Sequence, residues 1–255
     1  MGTPSHGRRR LVVVSKKRLG IYMSDHASPT PYIPGRHLFP SDLPYQSTRN
    51  PVRPSGRGFR GKFASRKMRR MVRCESLLEM NCLYLAEFAR TIASFDEQPV
   101  SISYLISGRR RRYTPDFRFL WQDGREWFVE VKPAEKLNTP ENNERFAAIT
   151  AHFESAGARF VALTEEQICR SHRSKTVQYL LRMRPNDSGP SAWADLGWVD
   201  HRSASFAEAA QLLGGPKSVI EALARRDLVC DLHQPLTAGT SIYTFAEADD
   251  DALFI

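Results

Sequence analysis

Acid is nearly missing from the first 73 residues of this 255-residue chain, where Asp25 and Asp42 stand against 17 Lys or Arg, a balance of +15. The whole chain carries +9, so the remainder is −6. A basic arm on a mildly acidic body predicts a polyanionic partner, most simply nucleic acid. Cysteine is scarce: Cys74, Cys82, Cys169 and Cys230 form no CxxC pair and no regular spacing. That argues against a zinc site and for reduced thiols in a cytoplasmic protein. Long apolar runs are missing as well. A stretch such as Leu11–Val14 is far too short to span a bilayer, and the first residues lack the apolar core of a signal peptide. The expectation is an intracellular protein.

Helical or strand periodicity is absent from residues 1–58, which are rich in Pro, Ser, Gly, Arg and Tyr. This segment is expected to be a partly disordered arm that orders on a partner, with "RRRLVVVSKKRL" as a weak edge strand. From residue 59 the chain takes on pattern. "ESLLEMNCLYLAEFARTI" places Leu78, Cys82, Leu85, Ala89 and Ile92 on one helical stripe. "VSISYLISG" reads as a strand, two more strands follow within residues 115–132, and "ENNERFAAITAHFESAG" is a helix stopped by Gly157. "RFVALT" is a buried strand and "KTVQYLLRMR" a further helix. The expected fold class is α/β, a mixed sheet flanked by helices over residues 59–184. A linker at "RPNDSGPS" leads to residues 192–255, where two amphipathic helices and a hairpin predict a small winged-helix-like domain.

The segment "RRRRYTPDFRFLWQDGREWFVEVK", residues 109–132, carries the chemistry. Register decides which of its side chains share a face. A two-residue Asp123-Gly124 turn would leave both faces mixed. A three-residue loop, Gln122-Asp123-Gly124 with Gly124 in the left-handed position, places Phe117, Phe119 and Trp121 with Trp127, Val129 and Val131. The other face then holds Asp116 and Arg118 with Phe128, Glu130 and Lys132, and Asp116 lies across from Glu130. Facing carboxylates repel unless a cation sits between them. Oxygen donors of this kind suit Mg²⁺ or Mn²⁺, and Lys132 can orient a water or neutralise charge developing on a phosphate. These are the parts needed for phosphodiester hydrolysis. "CESLLE" offers two further acids, Glu75 and Glu79, one helical turn apart. Basic residues that would hold DNA are Arg60, Lys62, Arg66, Lys67, Arg69 and Arg70, with Arg109, Arg110, Arg111 and Arg112 leading into the hairpin. His152, at mid-helix, is expected to pack or face solvent.

Pro115-Asp116 followed by Glu130-Val131-Lys132 on a hairpin resembles the PD-(D/E)XK signature of the restriction-endonuclease-like superfamily. With "KFASRKMRRMVRCESLLE", "FDEQP", "YTPDF" and "VEVKP" in that order, residues 61–183 resemble TnsA, the endonuclease subunit of heteromeric transposases, including those of CRISPR-associated transposons. The resemblance implies Mg²⁺-dependent cleavage of the 5′, non-transferred strands at transposon ends. It also implies partnership with a TnsB-like DDE transposase, which cuts and joins the 3′ ends, and a TnsC-like AAA+ ATPase. Carried over residue by residue, it assigns catalysis to Glu79, Asp116, Glu130 and Lys132, and metal binding to Glu79, Asp116 and Glu130. Some relatives have Gln where Glu130 stands. Glu75 is further set aside as an acid in the first helical turn, where the dipole alone explains it. Gln98 matches the "QP" block, with a structural role. The remaining alternatives are a stand-alone repair, junction or restriction nuclease on the same core, and a non-catalytic DNA-binding adaptor.

Overall fold

Two-residue periodicity and turn chemistry build most of what surrounds the hairpin. The structure, a computed structural model, describes residues 59–137, 139–186, 203–246 and 248–254. The arm 1–58, with its expected edge strand, and most of the expected linker lie outside the described residues. Strands β1 (Gly61–Ser65) and β2 (Arg70–Cys74) form an antiparallel hairpin. It leads into α1 (Leu77–Phe88), which starts where the Ser76 hydroxyl accepts a hydrogen bond from the Glu79 amide at 3.0 Å.

The helix expected through Ile92 stops at Phe88, and Ile92–Glu97 is a strand, β3. Ile92 fits the helical stripe by spacing alone. The β-branched Thr91-Ile92 pair prefers extended chain, and pairing with the next strand sets Ile92 opposite Trp121 and Phe95 opposite Phe119. The arginine run is also a strand. β4 (Ile102–Ile106) and β5 (Arg109–Tyr113) form a separate two-stranded ribbon. Its turn places Ser107 and Gly108 at φ 47° and 72°, the left-handed pair that a two-residue hairpin turn requires.

The central sheet runs β3-β6-β7-β8, with β6 (Phe117–Trp121) and β7 (Glu126–Val131) antiparallel. Their register is the expected one: Phe117 pairs with Val129 and Phe119 with Trp127. The loop closes with the Trp121 amide donating to the Arg125 carbonyl at 2.9 Å and Gly124 at φ 86°. After a short α2 (Ala134–Leu137), helix α3 (Pro140–Ser155) crosses over to β8 (Arg159–Leu163), which lies parallel to β7. Then come α4 (Glu165–Ile168) and α5 (Arg173–Met183).

Both faces of this sheet are covered. On one, Phe117, Phe119, Trp121, Trp127, Val129 and Val131 bury against Cys82, Leu85 and Phe88 of α1. Each such side chain contributes about 1.5–3 kcal/mol on full burial. On the other, Phe128 and Phe160 pack under Phe146, Ile149 and Phe153 of α3.

The C-terminal part has β9 (Ser203–Ser205), α6 (Phe206–Leu212), α7 (Pro216–Arg225), β10 (Leu228–Cys230), β11 (Ser241–Thr244) and α8 (Ala248–Asp251). Its strands form a three-stranded sheet of order β10-β11-β9. It shares the main apolar cluster: Phe254 lies 5.5 Å from Phe119 and 6.2 Å from both Trp121 and Trp127, centroid to centroid. The fold is thus α/β, a mixed sheet between helices. Among the described residues no helix is long and apolar enough to cross a membrane.

Candidate active site

Asp116 stands one residue before β6 and, by continuation of the strand register, opposite Glu130 of β7. The Val131 amide donates to its Oδ2 at 2.8 Å, and the Asp116 carbonyl accepts from the Gln98 amide at 2.7 Å. Glu130 is buried. Its Oε2 accepts a 2.6 Å hydrogen bond from the Tyr113 hydroxyl, and its Oε1 lies 3.8 Å from Lys132 Nζ. Burial, reinforced by the Glu130 charge, pushes the Tyr113 hydroxyl well above the ordinary tyrosine pKa, so it stays protonated and donates. Asp116 and Glu130 border one cavity of about 340 Å³, together with Arg112, Tyr113, Thr114 and Arg145.

Burial pushes the Asp116 carboxyl well above the ordinary aspartate range, and the charges of Glu130 and Glu79 add to the rise. Glu79 is likewise raised, chiefly by burial, with the Glu75 and Glu130 charges contributing. So Glu79, Asp116 and Glu130 sit within reach of one another's fields. Among the described residues neither Asp116 nor Glu79 has an ion-pair partner, and no three His, Cys, Asp or Glu are arranged as a ready-made ligand set. Magnesium does not need one, since it takes one or two protein carboxylates and keeps several waters. A pair of facing carboxylates, Glu130 buried and Asp116 half-buried, without a neutralising arginine fits such an ion.

The two helix glutamates exchange the explanations expected of them. Because α1 begins at Leu77, Glu79 is the acid in its first turn. Its Oε2 accepts from the Glu75 amide at 2.7 Å and its Oε1 from the Ser76 hydroxyl at 3.0 Å. Glu75 precedes the helix and accepts from Gln98 Nε2 at 3.0 Å. The dipole argument that set Glu75 aside therefore belongs to Glu79, which caps the helix while facing the acidic pair.

Of the basic residues expected on DNA, Arg109 through Arg112 are exposed along β5, and Lys62, Arg66 and Arg69 are exposed on the β1–β2 hairpin. Arg60 is half-buried. Arg66 donates to the Arg184 and Pro185 carbonyls. Two turn inward, against expectation. Lys67 Nζ donates to the Ala86 and Ala89 carbonyls at the end of α1, at 2.9 and 2.5 Å, and burial pushes its pKa down to about 7. Arg70 pairs with Asp96 at 3.2 Å and Glu97 at 2.6 Å. Both cations satisfy groups that folding would otherwise strand, which a count of charges along the chain cannot reveal. His152 packs edge-on against Phe153.

Tyr113 and Arg145 escaped the sequence reading. Tyr113 lies three residues before Asp116, on the ribbon rather than in the acidic pattern. Arg145 borders the apolar stripe of α3, four residues before Ile149, and that spacing was its only signal. Gln98 is held at φ 48°, a left-handed conformation costly for a residue with a side chain. It is buried between Glu75 and the Asp116 backbone, a structural role close to the site.

Residues 89–165 match the family model described as TnsA-like endonuclease N terminal. The match takes in Gln98, Tyr113, Asp116, Glu130, Lys132 and Arg145, while Glu79 lies ahead of it. No curated protein matches the chain. Together with the mixed sheet and its hairpin, the match identifies the segment that carries the cavity as a TnsA-like endonuclease domain.

Proposed function

We propose that the chain is a magnesium-dependent DNA endonuclease that cuts the 5′, non-transferred strands at transposon ends, as the TnsA-like subunit of a transposase complex. The observation that carries this reading is the facing Asp116–Glu130 pair, without a neutralising arginine, inside a TnsA-like endonuclease domain. Asp116 and Glu130 would hold Mg²⁺, or Mn²⁺ in its place. The ion would supply Lewis acidity and ease deprotonation of water at neutral pH. Lys132 reaches the same carboxylate from the strand end and would orient the water or offset charge on the phosphate. Glu79 would join as a third ligand from α1, releasing its hold on the Ser76 hydroxyl. The Tyr113 hydroxyl fixes the Glu130 carboxylate.

The β4–β5 ribbon, with four exposed arginines, supports binding to double-stranded DNA, since the major groove admits a two-stranded ribbon. The basic arm 1–58 would add sequence-independent affinity, and the C-terminal helices and sheet would act as a winged-helix-like unit. The reading includes a TnsB-like DDE transposase and a TnsC-like AAA+ ATPase as partners, in the cytoplasm.

A transposon-end duplex, labelled separately on each strand and incubated with the protein, its transposase and Mg²⁺, tests this. A nick confined to the 5′ strand at the end is the expected result. Cleavage of plain duplex without any partner would instead favour a stand-alone nuclease, and a nick on the 3′ strand would overturn the strand assignment.

A further inference from the structure

The cavity beside Asp116 and Glu130 holds a cation that the acidic pair does not use. Arg145, in α3, has its guanidinium carbon 5.1 Å from the Tyr113 ring centroid and 5.4 Å from that of Phe146. Two aromatic rings fix a planar cation in place. Arg145 and Glu130 border the same cavity without pairing. Instead the Tyr113 hydroxyl takes Oε2 and Lys132 stands at Oε1. Among the described residues no carboxylate lies within ion-pair distance of Arg145, and its Nε is buried with no hydrogen-bond partner. A buried donor without an acceptor is destabilising, so the position favours an incoming oxygen. A guanidinium held open by two rings, in a cavity floored by a carboxylate pair, matches the forked geometry of a phosphate.

We propose that Arg145 is the phosphate clamp of this site: its guanidinium binds non-bridging oxygens of the DNA phosphodiester presented to Asp116 and Glu130. The proposal rests on the nuclease reading above. It gives Tyr113 two positioning tasks, carrying the Arg145 guanidinium on its ring face and the Glu130 carboxylate on its hydroxyl. Arg112, on the same cavity, donates to the Ser101 hydroxyl at 3.3 Å and remains largely exposed, so it serves a neighbouring phosphate.

The test uses the full chain as wild type, Arg145→Lys and Arg145→Met, with Asp116→Ala as control. Three quantities are read: single-turnover cleavage of a transposon-end duplex in Mg²⁺ with the partner transposase, affinity for that duplex in Ca²⁺, and Mn²⁺ affinity without DNA. A clamp predicts that both Arg145 variants lose about 10²–10³-fold in cleavage, the loss typical of removing one preorganised donor to a developing anion. DNA affinity falls, and for Arg145→Met the slope of log affinity against log salt drops by about 0.9, one phosphate contact. Mn²⁺ affinity stays equal or tightens, because a positive charge near the carboxylates has been removed or made less directional. Cleavage at the wild-type rate would overturn the clamp. So would weakened Mn²⁺ binding with unchanged DNA affinity, which marks a role in shaping the acidic pair alone. If wild type itself fails to cut, or Asp116→Ala cuts as well as wild type, the nuclease reading fails and not merely the clamp.

Discussion

Two clusters of acid lie on neighbouring strands of the central sheet and are treated in opposite ways. At the end of β3, buried Asp96 and Glu97 are met by Arg70 at 3.2 and 2.6 Å, and Asp96 also by Arg118 at 3.7 Å. At the end of the β6–β7 hairpin, Asp116 and Glu130 face each other, and among the described residues the one ion pair to either is Lys132, 3.8 Å from Glu130. Burial raises the pKa of both Asp96 and Asp116, but around Asp96 the arginines oppose the rise, whereas around Asp116 the neighbouring acids, Glu130 and Glu79, enlarge it. Uncompensated buried charge is destabilising in an isolated fold. Where the chain keeps acids for structure it supplies arginines, and where it omits them the proposed function assigns the acids to a cation from outside.

Breaking the compensated cluster should have the largest effect on stability. Arg70→Ala strands Glu97 and leaves Asp96 with Arg118 alone, and is expected to cost about 3 kcal/mol, read by urea denaturation, with no specific effect on metal affinity. A loss below 1 kcal/mol would mean that the arginine serves another purpose, such as contact with DNA. Next comes Glu79, which belongs to both worlds. Glu79→Ala removes acceptors for the Glu75 amide and the Ser76 hydroxyl and should cost about 0.5–1 kcal/mol. If Glu79 is also a ligand, Glu79→Gln, which can still accept those bonds, abolishes cleavage while keeping most of that stability. Cleavage by Glu79→Gln at the wild-type rate would leave it a cap only.

The smallest change runs in the unusual direction. Asp116→Asn removes one of two facing charges and should stabilise the metal-free protein by up to about 1 kcal/mol at neutral pH. The pH dependence has a definite sign. Because the folded-state pKa of Asp116 is raised, wild type carries its penalty above that pKa and sheds it as pH falls through it. The advantage of Asp116→Asn therefore shrinks on acidification. Melting curves in EDTA across this range check it; an advantage that grows as pH falls would contradict the assigned electrostatics.

Much of this architecture was legible from residue pattern. The hairpin register followed from alternation, because only the three-residue loop collects Phe117, Phe119, Trp121, Trp127, Val129 and Val131 on one face, and Gly124 supplies the left-handed residue that loop needs. Strand β3 was not legible, since Ile92 satisfies the helical stripe of α1 equally well and only the partner strand decides between them. Nor was the inward turn of Lys67, because the carbonyls it caps come from the far end of α1. The start of α1 moved the capping role from Glu75 to Glu79, a shift of two residues in a helix boundary that reverses an argument about function. Arg145 shows a different limit: its significance depends on the crossover of α3 carrying it over the Tyr113 ring, onto the cavity that Glu130 borders, which no local pattern encodes.

Under the proposed function, the facing acids of the hairpin, with Lys132, form a metal-dependent cutting site. Nicking of an end-labelled transposon-end duplex, with partners present and Mg²⁺ supplied or chelated, tests it directly for wild type, Asp116→Ala and Lys132→Ala. The expected result is cutting by wild type only with the metal, none by Asp116→Ala, and a loss of about 10²–10⁴-fold for Lys132→Ala with Mn²⁺ binding retained. Undiminished nicking by Asp116→Ala would contradict it.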